Sequence, residues 1–468
     1  MNLIQFCGAA GVLLLIVIIG VASGRRVKNS ADFESGGGKA GHGAVAGMIL
    51  GTVVGGSCTI GTAQLAYHNG LSAWWYTIGC GLACLMMGLL YVKPFRRAGA
   101  STLPGIIRRE YGEKVAMATS LLAGFAALIG LVAQVISASA VVPFIVPGLS
   151  VTGSVAVAVV LMMAYVIFGG ALGAGEVGRV KTVLLYAAVL GGVLLVLRKA
   201  GAWTLWQELD HSVYFDLFAR GVGEESSKAL SVVLGIAAGP TYVHAIQMAR
   251  TDAVARRSEL ISALLVPPIG LGSALIGMFM RVHHPGLENA KNAFPEFVLT
   301  YMPDLVSGIV MGTLLLGILG SGAGIAMATG ISINRDILQP LLRIPQESRG
   351  SLRMSRICIG ILLIAAGCLS TGILGDTIQI FSILAAGFRA TVMFVPLTCA
   401  CLLPGKISPK WMLAAVLAGP VVSLIFSVWR ILPIDSMALG IIAGVVCCVA
   451  GFLVGRRRVC TCRNGEMK

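Results

Sequence analysis

The chain has 468 residues, of which 57% are hydrophobic and only 12% are charged. This composition excludes a mainly soluble protein, because too few polar residues remain to cover a surface in water. The net charge of +15 does not indicate nucleic acid, since the basic residues lie in short loops between apolar stretches. We therefore predict an all-α integral membrane protein with no nucleic-acid partner.

The apolar stretches are the main structural signal, because a helix of about 20 apolar residues crosses the hydrocarbon core of a bilayer. In chain order they lie at 3–23, 43–67, 71–92, 115–144, 151–170, 179–197, 228–250, 257–280, 304–331, 354–375, 377–403, 410–429 and 434–455. This pattern predicts about 13 transmembrane helices.

The Lys and Arg residues concentrate in every second loop. Loops rich in these residues stay in the cytoplasm. The pattern therefore predicts a protein of the cell (inner) membrane, with its N-terminus outside and its C-terminus in the cytoplasm. It assigns Arg179 and Lys181 to the cytoplasmic side, and it leaves one cation, Arg389, inside a span.

Two spans contain residues that interrupt a helix. In the second span Gly55 and Gly56 are adjacent, and glycine lowers helix propensity. Three polar residues that can satisfy freed backbone groups follow directly: Ser57, Cys58 and Thr59. In the seventh span Gly239 precedes Pro240, and proline removes a helix hydrogen bond. Broken helices at matching places in two halves indicate an inverted-repeat transporter. Ordinary kinks in a channel, a lipid-modifying enzyme or a receptor are the alternatives.

A series of short motifs then follows the chain over about residues 25–425. They are Asn29-Ser-Ala-Asp-Phe-Glu34, Gly61 to Leu71 with Trp74 and Trp75, Pro94-Phe95-Arg96-Arg97, Ser101-Thr102-Leu103-Pro104, Arg109-Glu110-Tyr111-Gly112, Gly169-Gly170, Gly239-Pro240 with Ala249-Arg250-Thr251-Asp252, and Asn334-Arg335-Asp336-Ile337. In this order and spacing the chain resembles the sodium:solute symporter family. The resemblance implies a LeuT-like core of two inverted five-helix repeats at 43–403. An N-terminal helix and basic cytoplasmic loop at 1–42 would precede it, and two C-terminal helices with a basic tail at 404–468 would follow.

The resemblance also implies a sodium site. Its backbone carbonyls would come from Gly51 and Val54 in the first core helix and from Gly317 in the eighth, with a pair of hydroxyls at Gly320 and Ser321. Gly320 supplies no hydroxyl. Either the ion is held with one hydroxyl fewer, or water fills the gap, or coupling uses a proton or no ion. We expect sodium as the coupling ion and no organic cofactor.

Polar residues within spans are the candidates for contact with the solute. They are Ser57, Cys58, Thr59, Gln64, Gln134, Ser137, Tyr242, His244 and Arg389. Arg389 is the strongest candidate, because a charge inside a membrane is costly and must be paired or face water. It is either a counter-ion for a carboxylate on the solute or a strut that pairs with a carboxylate or with helix C-terminal carbonyls. His244 is either a proton carrier or a core residue with a satisfied hydrogen bond.

These features together predict a secondary active transporter that couples sodium to a small organic solute, with carboxylates among the candidates. The run Gly36-Gly37-Gly38-Lys39 lacks the spacing of a Walker loop, so ATP-driven transport is not expected and nothing else indicates an enzyme. The alternatives are a proton-coupled or uncoupled transporter, or a solute sensor that does not transport. The expected partners are the solute and the lipid bilayer, and no protein partner is implied.

Overall fold

The computed structural model describes residues 1–24, 38–99, 102–199, 201–343, 345, 348–372, 378–429 and 435–465. The motif from Asn29 to Glu34 and the neighbouring cations Arg25, Arg26 and Lys28 lie outside the described residues.

Helices account for nearly all of the described chain, and an isolated parallel bridge joins Ala40 to Ala249. The helices are α1 (Leu3–Gly24), α2 (His42–Val53), α3 (Ile60–Asn69), α4 (Trp75–Met86), α5 (Val92–Ala98), α6 (Leu103–Tyr111), α7 (Glu113–Ile145), α8 (Val151–Lys199), α9 (Gly201–Glu208), α10 (His211–Tyr214), α11 (Val222–Ala237), α12 (Pro240–Met248), α13 (Asp252–His283), α14 (Ala293–Tyr301), α15 (Asp304–Ile333), α16 (Gln339–Leu342), α17 (Arg349–Thr371), α18 (Ile378–Arg389), α19 (Val395–Leu402), α20 (Pro409–Trp429) and α21 (Ser436–Gly465).

The lengths and outer faces of these helices are those of an integral membrane protein. Within the described ranges, nine helical segments are long and apolar enough to cross a bilayer, and ten are if the bent pair α11 and α12 counts as one. Leucines such as Leu121, Leu264 and Leu424 are exposed on the outside of the bundle, where lipid would cover them. Three further apolar segments, Leu3–Leu15, His42–Val53 and Val151–Val166, are shorter within the part of the chain that was described, so the exact number of 13 spans stays a prediction.

The core lies around α7 and α15. The most apolar windows of these two helices are 83% and 89% buried inside the protein, against 33% for those of α17 and α20. Glycine, alanine and serine are frequent in α15, so neighbouring backbones approach it closely. Polar groups on α7 and α15 are therefore placed away from lipid, where a binding site can form.

One expected boundary is wrong. The sequence predicts separate spans at 151–170 and 179–197, whereas α8 continues without a helix end from Val151 to Lys199. The segment between the two expected spans is rich in glycine but contains no proline. Glycine weakens a helix by only about 1 kcal/mol, and packing against a neighbouring helix offsets this.

Candidate functional site

The first break in the bundle lies between α2 and α3. Helix α2 ends at Val53 because Val54 is extended, with φ −84° and ψ 90°. The amide of Gly55, which would bond the Gly51 carbonyl in a continuing helix, instead donates to the carbonyl of Val53 at 3.1 Å. The carbonyl of Gly51 in the last helical turn is thereby left to accept other donors.

A lysine side chain meets this carbonyl. Lys181 of α8 is fully buried. Its Nζ atom donates to the carbonyl oxygens of Gly51 at 2.5 Å and Gly317 at 2.7 Å and to Oγ of Ser321 at 3.2 Å. No ion pair in the described part of the chain includes Lys181. An ammonium group has three N–H donors, so these oxygens match its hydrogen-bonding capacity.

Glycines bring the lysine to this position. A Cβ atom at Gly178 would lie 2.0 Å from the carbonyl oxygen of Gly47, and one at Gly47 would lie 2.3 Å from that of Gly175. Helices α2 and α8 can therefore pack backbone to backbone only because these residues lack side chains. Lys181 follows Gly178 by three residues and Gly51 follows Gly47 by four, so both lie on the contacting faces.

Three of the five residues expected to bind sodium are thus brought together, and the side chain of Lys181 lies between them. The oxygens of Gly51, Gly317 and Ser321 converge on Lys181 Nζ, and Ser321 Oγ also donates to the Gly51 carbonyl at 3.2 Å. Val54, which directly follows α2, is buried. A Cβ at Gly320 would lie 3.4 Å from Lys181 Nζ.

The assignment of Lys181 to a cytoplasmic loop is wrong. Its neighbour Arg179 is exposed and pairs with Glu176 at 3.2 Å, as expected of a residue outside the core. The two cations are two residues apart on a helix, so they point to different faces. The pattern Gly175-x-x-Gly178 was the available signal, because small residues spaced along a helix mark a buried crossing.

The second break lies between α11 and α12, which meet at an angle of 44°. Pro240 is the first residue of α12, directly after Gly239. A cavity of about 70 Å³ lies beside this break, which is room for several water molecules. Helices α2, α4, α7, α11, α12, α15 and α18 contribute residues to its lining.

Arg389, at the end of α18, is the charged residue of the cavity lining. It is buried, and its guanidinium donates to the carbonyl of Gly235 at 3.3 Å, in the last turn of α11. None of the ion pairs formed by the described residues includes it. A guanidinium has several N–H donors, so the contact with Gly235 does not exhaust its capacity to bind an anion.

Gln134 of α7 links the first break to the cavity that it lines. Its Oε1 atom accepts from the amide of Gly56 at 3.2 Å, and its Nε2 atom donates to Oγ of Ser57 at 3.2 Å. Ser57 in turn shares a hydrogen bond of 2.5 Å with Ser382 of α18. Non-helical backbone in a membrane needs such partners.

The two sites are close to each other. A Cβ at Gly55 would lie 2.5 Å from Oγ of Ser321 and 2.8 Å from Oε1 of Gln134. One glycine of the first break therefore separates the serine that contacts Lys181 from the glutamine that lines the cavity.

Of the expected solute contacts, Tyr242 lines the cavity together with Gln134 and Arg389, whereas Ser57, Cys58, Thr59, Gln64, Ser137 and His244 do not. Cys58 and Thr59 bond backbone carbonyls within the break, Gln64 accepts from the amide of Ile378, and Ser137 bonds a carbonyl of its own helix. His244 is buried in α12. Their role as solute contacts stays a prediction.

The cavity lining also includes hydroxyl residues that were not predicted as solute contacts, among them Tyr76, Thr329 and Ser382. Each lies on a different helix, and nothing in its local sequence distinguishes it from an ordinary polar residue of a membrane helix. Only the packing of α4, α15 and α18 around one space brings them together.

Comparison with known proteins decides the family. The family model described as the sodium:solute symporter family matches residues 33–398. The chain belongs to the sodium:solute symporter family. This confirms the resemblance drawn from the motifs, and the family and its named relatives are transporters rather than enzymes.

The names of proteins similar to the chain point to different solutes or to none. An uncharacterized symporter of Bacillus subtilis, YwcA, is 24% identical over 388 residues, covering 78% of this chain and 75% of the relative. A monocarboxylic acid transporter of Corynebacterium glutamicum is 25% identical over 405 residues, covering 76% and 72%. The high-affinity proline transporter PutP of Bacillus subtilis is 22% identical, covering 88% and 90%.

A solved structure shares the fold. It is a Na⁺-coupled sialic acid symporter in a substrate-bound outward-open state, and it superimposes with a TM-score of 0.80 over 97% of this chain and 98% of its own. The sequence identity is 14%, so this likeness concerns the architecture alone.

Proposed function

We propose that this symporter-family chain is a secondary active transporter that carries a small organic solute, with monocarboxylates as the preferred class. The position of Arg389 carries this proposal. It lines a cavity beside a helix break and has no carboxylate partner among the ion pairs of the described residues. A guanidinium matches a carboxylate with two parallel hydrogen bonds.

Several features support a small solute with an anionic group. The cavity volume of about 70 Å³ suits a molecule of a few heavy atoms. Tyr76, Tyr242, Ser382 and Gln134 lie in the lining, and their polar groups are the candidates for orienting the rest of the solute. The name of the Corynebacterium glutamicum relative, a monocarboxylic acid transporter, points to the same class.

We further propose the transport mechanism. Residues 43–403 would form two inverted five-helix repeats that rock against each other around the two breaks, so that the cavity opens alternately to each side. The chain would lie in the cell membrane with its N-terminus outside. Sodium is the coupling ion that the family and the solved neighbour suggest, and it would have to bind where the Lys181 ammonium now lies.

Counterflow tests this proposal directly. Purified protein in proteoliposomes is loaded with a small monocarboxylate, and entry of the labelled compound is measured alongside that of its neutral amide. Removing one partner of a desolvated ion pair costs about 3–5 kcal/mol. Arg389→Gln should therefore lower carboxylate counterflow by more than about 100-fold, whereas Arg198→Gln, at an exposed position of α8, should not.

Two outcomes would contradict the proposal in different ways. Equal loss of carboxylate and amide counterflow in Arg389→Gln would make the arginine a strut that holds α11 through Gly235. Thermal stabilisation of the wild-type protein by a carboxylate without any counterflow would instead favour the solute sensor.

A further inference from the structure

We propose that the ammonium group of Lys181 is the resident cation of the site predicted for sodium, so that this transporter works without sodium at that site. The inference rests on the proposed transport function, but its first test does not require transport. It assigns a role to Lys181 and leaves the solute class unchanged.

The first argument is the identity of the oxygens. The positions matched to the family's sodium ligands include Gly51, Gly317 and Ser321, and these same residues accept from Lys181 Nζ at 2.5, 2.7 and 3.2 Å. An ammonium and a sodium ion have equal charge and both require oxygen ligands. They cannot share one set of oxygens, because like charges at such a distance repel strongly in a buried site.

The second argument is the state of the Gly51 carbonyl. It lies in the last turn of α2, and the amide of Gly55 that would otherwise bond it has turned to Val53. The C-terminal end of a helix carries partial negative charge and favours a cation. In a buried position this cation comes either from solution or from a side chain. Here the side chain of Lys181 supplies it.

The third argument explains Gly320, where the family pattern expects a hydroxyl. A Cβ at this position would lie 3.4 Å from Lys181 Nζ and 3.4 Å from Oη of Tyr165. A serine side chain here would lie against the lysine ammonium, which already has three oxygen acceptors. The missing hydroxyl and the buried lysine thus belong together. The ammonium group, attached to the chain, takes the place of the free sodium ion that such a hydroxyl would bind.

The close packing of α2 and α8 also holds the lysine in place. The backbone contacts of Gly47 with Gly175 and Gly178 leave no room for side chains. They fix α8 against α2 in the register that puts Lys181 beside Gly51. A buried amine without a carboxylate partner is otherwise unfavourable, so the three oxygens are its compensation.

Sodium binding by the wild-type protein in detergent is the first test. We expect no saturable binding of radioactive sodium and no shift of the thermal midpoint when sodium replaces N-methylglucamine. Saturable binding that Ser321→Ala abolishes would overturn the inference, because sodium would then displace the lysine. This measurement distinguishes failure of the inference from failure of the proposed transport.

Transport is the second test, by uptake into proteoliposomes. Wild-type uptake should be equal within about twofold in sodium and in N-methylglucamine, and a strict need for sodium would overturn the inference. Coupling between sites typically changes affinity by about 5–150-fold, so Lys181→Met should lower uptake by about tenfold or more. Lys199→Met, the same change at an exposed position of α8, should not. Unchanged uptake in a folded Lys181→Met variant would also overturn it.

Discussion

Gly178 and Gly47 touch through their backbones, since a Cβ at Gly178 would lie 2.0 Å from the carbonyl oxygen of Gly47. This contact sets the distance between α2 and α8, and it thereby sets the position of Lys181 relative to Gly51. The oxygens of Gly51, Gly317 and Ser321 that surround Lys181 thus depend on two residues that contribute no polar side chain to the site.

Replacing this glycine should separate the two helices. Overpacking of a close contact typically costs about 1–3 kcal/mol, so Gly178→Ala should lower the thermal midpoint in detergent and reduce solute uptake. Gly191→Ala is the matched control, because it lies in the same helix and its Cβ would meet nothing within 4 Å. It should be neutral or slightly stabilising. Equal effects of the two variants would show that helix propensity, not the contact, decides the result.

The contacts of Gln134 should matter more than those of Ser137, although both lie on one face of α7. Gln134→Leu leaves the amide of Gly56 and the hydroxyl of Ser57 without this partner, and a buried unsatisfied group costs about 1–3 kcal/mol. We expect a clearly lower uptake rate and a raised KM. Ser137→Ala removes only a bond to the Ala133 carbonyl and should change uptake little. A reversed order would contradict the role of Gln134 in holding the break.

Restoring the missing hydroxyl should create a sodium site only when the lysine is removed. In the double variant Lys181→Ala with Gly320→Ser, the oxygens of Gly51 and Gly317 lose the ammonium and the site gains a hydroxyl. We expect saturable binding of radioactive sodium and a rise of the thermal midpoint with sodium. Gly320→Ser alone is the control and should bind none, because Lys181 still occupies the oxygens. Equal sodium binding in both variants would contradict this.

Arg108 has two acidic partners that differ in burial. Replacing each in turn therefore compares a buried ion pair with a surface ion pair. It contacts Asp336, whose side chain is 1% exposed, at 3.3 Å and Glu113, which is 47% exposed, at 3.0 Å. Asp336 also accepts from Thr102 and Ser332. Asp336→Ala removes the acceptor of these hydrogen bonds and should cost about 1.5–3 kcal/mol of stability, and Glu113→Ala about 0–1 kcal/mol. Thermal unfolding of the purified variants checks this, and similar losses would argue against the burial effect.

The fold class could be predicted from the sequence because bilayer thickness acts on chain length and hydropathy, which are local properties. The same holds for the interruptions near Gly55 and Pro240, since helix propensity and the missing amide of proline depend on a few neighbouring residues. The motifs between residues 25 and 425 indicated the family without any structure, and the family model matches residues 33–398.

Only the tertiary structure decided what occupies the cluster of oxygens. Lys181 is separated from Gly51 by 130 residues and from Ser321 by 140, and its sequence neighbour Arg179 is exposed. Whether a lysine in an apolar helix faces the cytoplasm or the core depends on which helix crosses its own and on the distance between the two helices. That distance is set by pairs of glycines on different helices, and no local pattern reports which glycines meet. Composition and spacing therefore determined the kind of protein, while helix packing determined that Lys181 meets the oxygens of Gly51, Gly317 and Ser321.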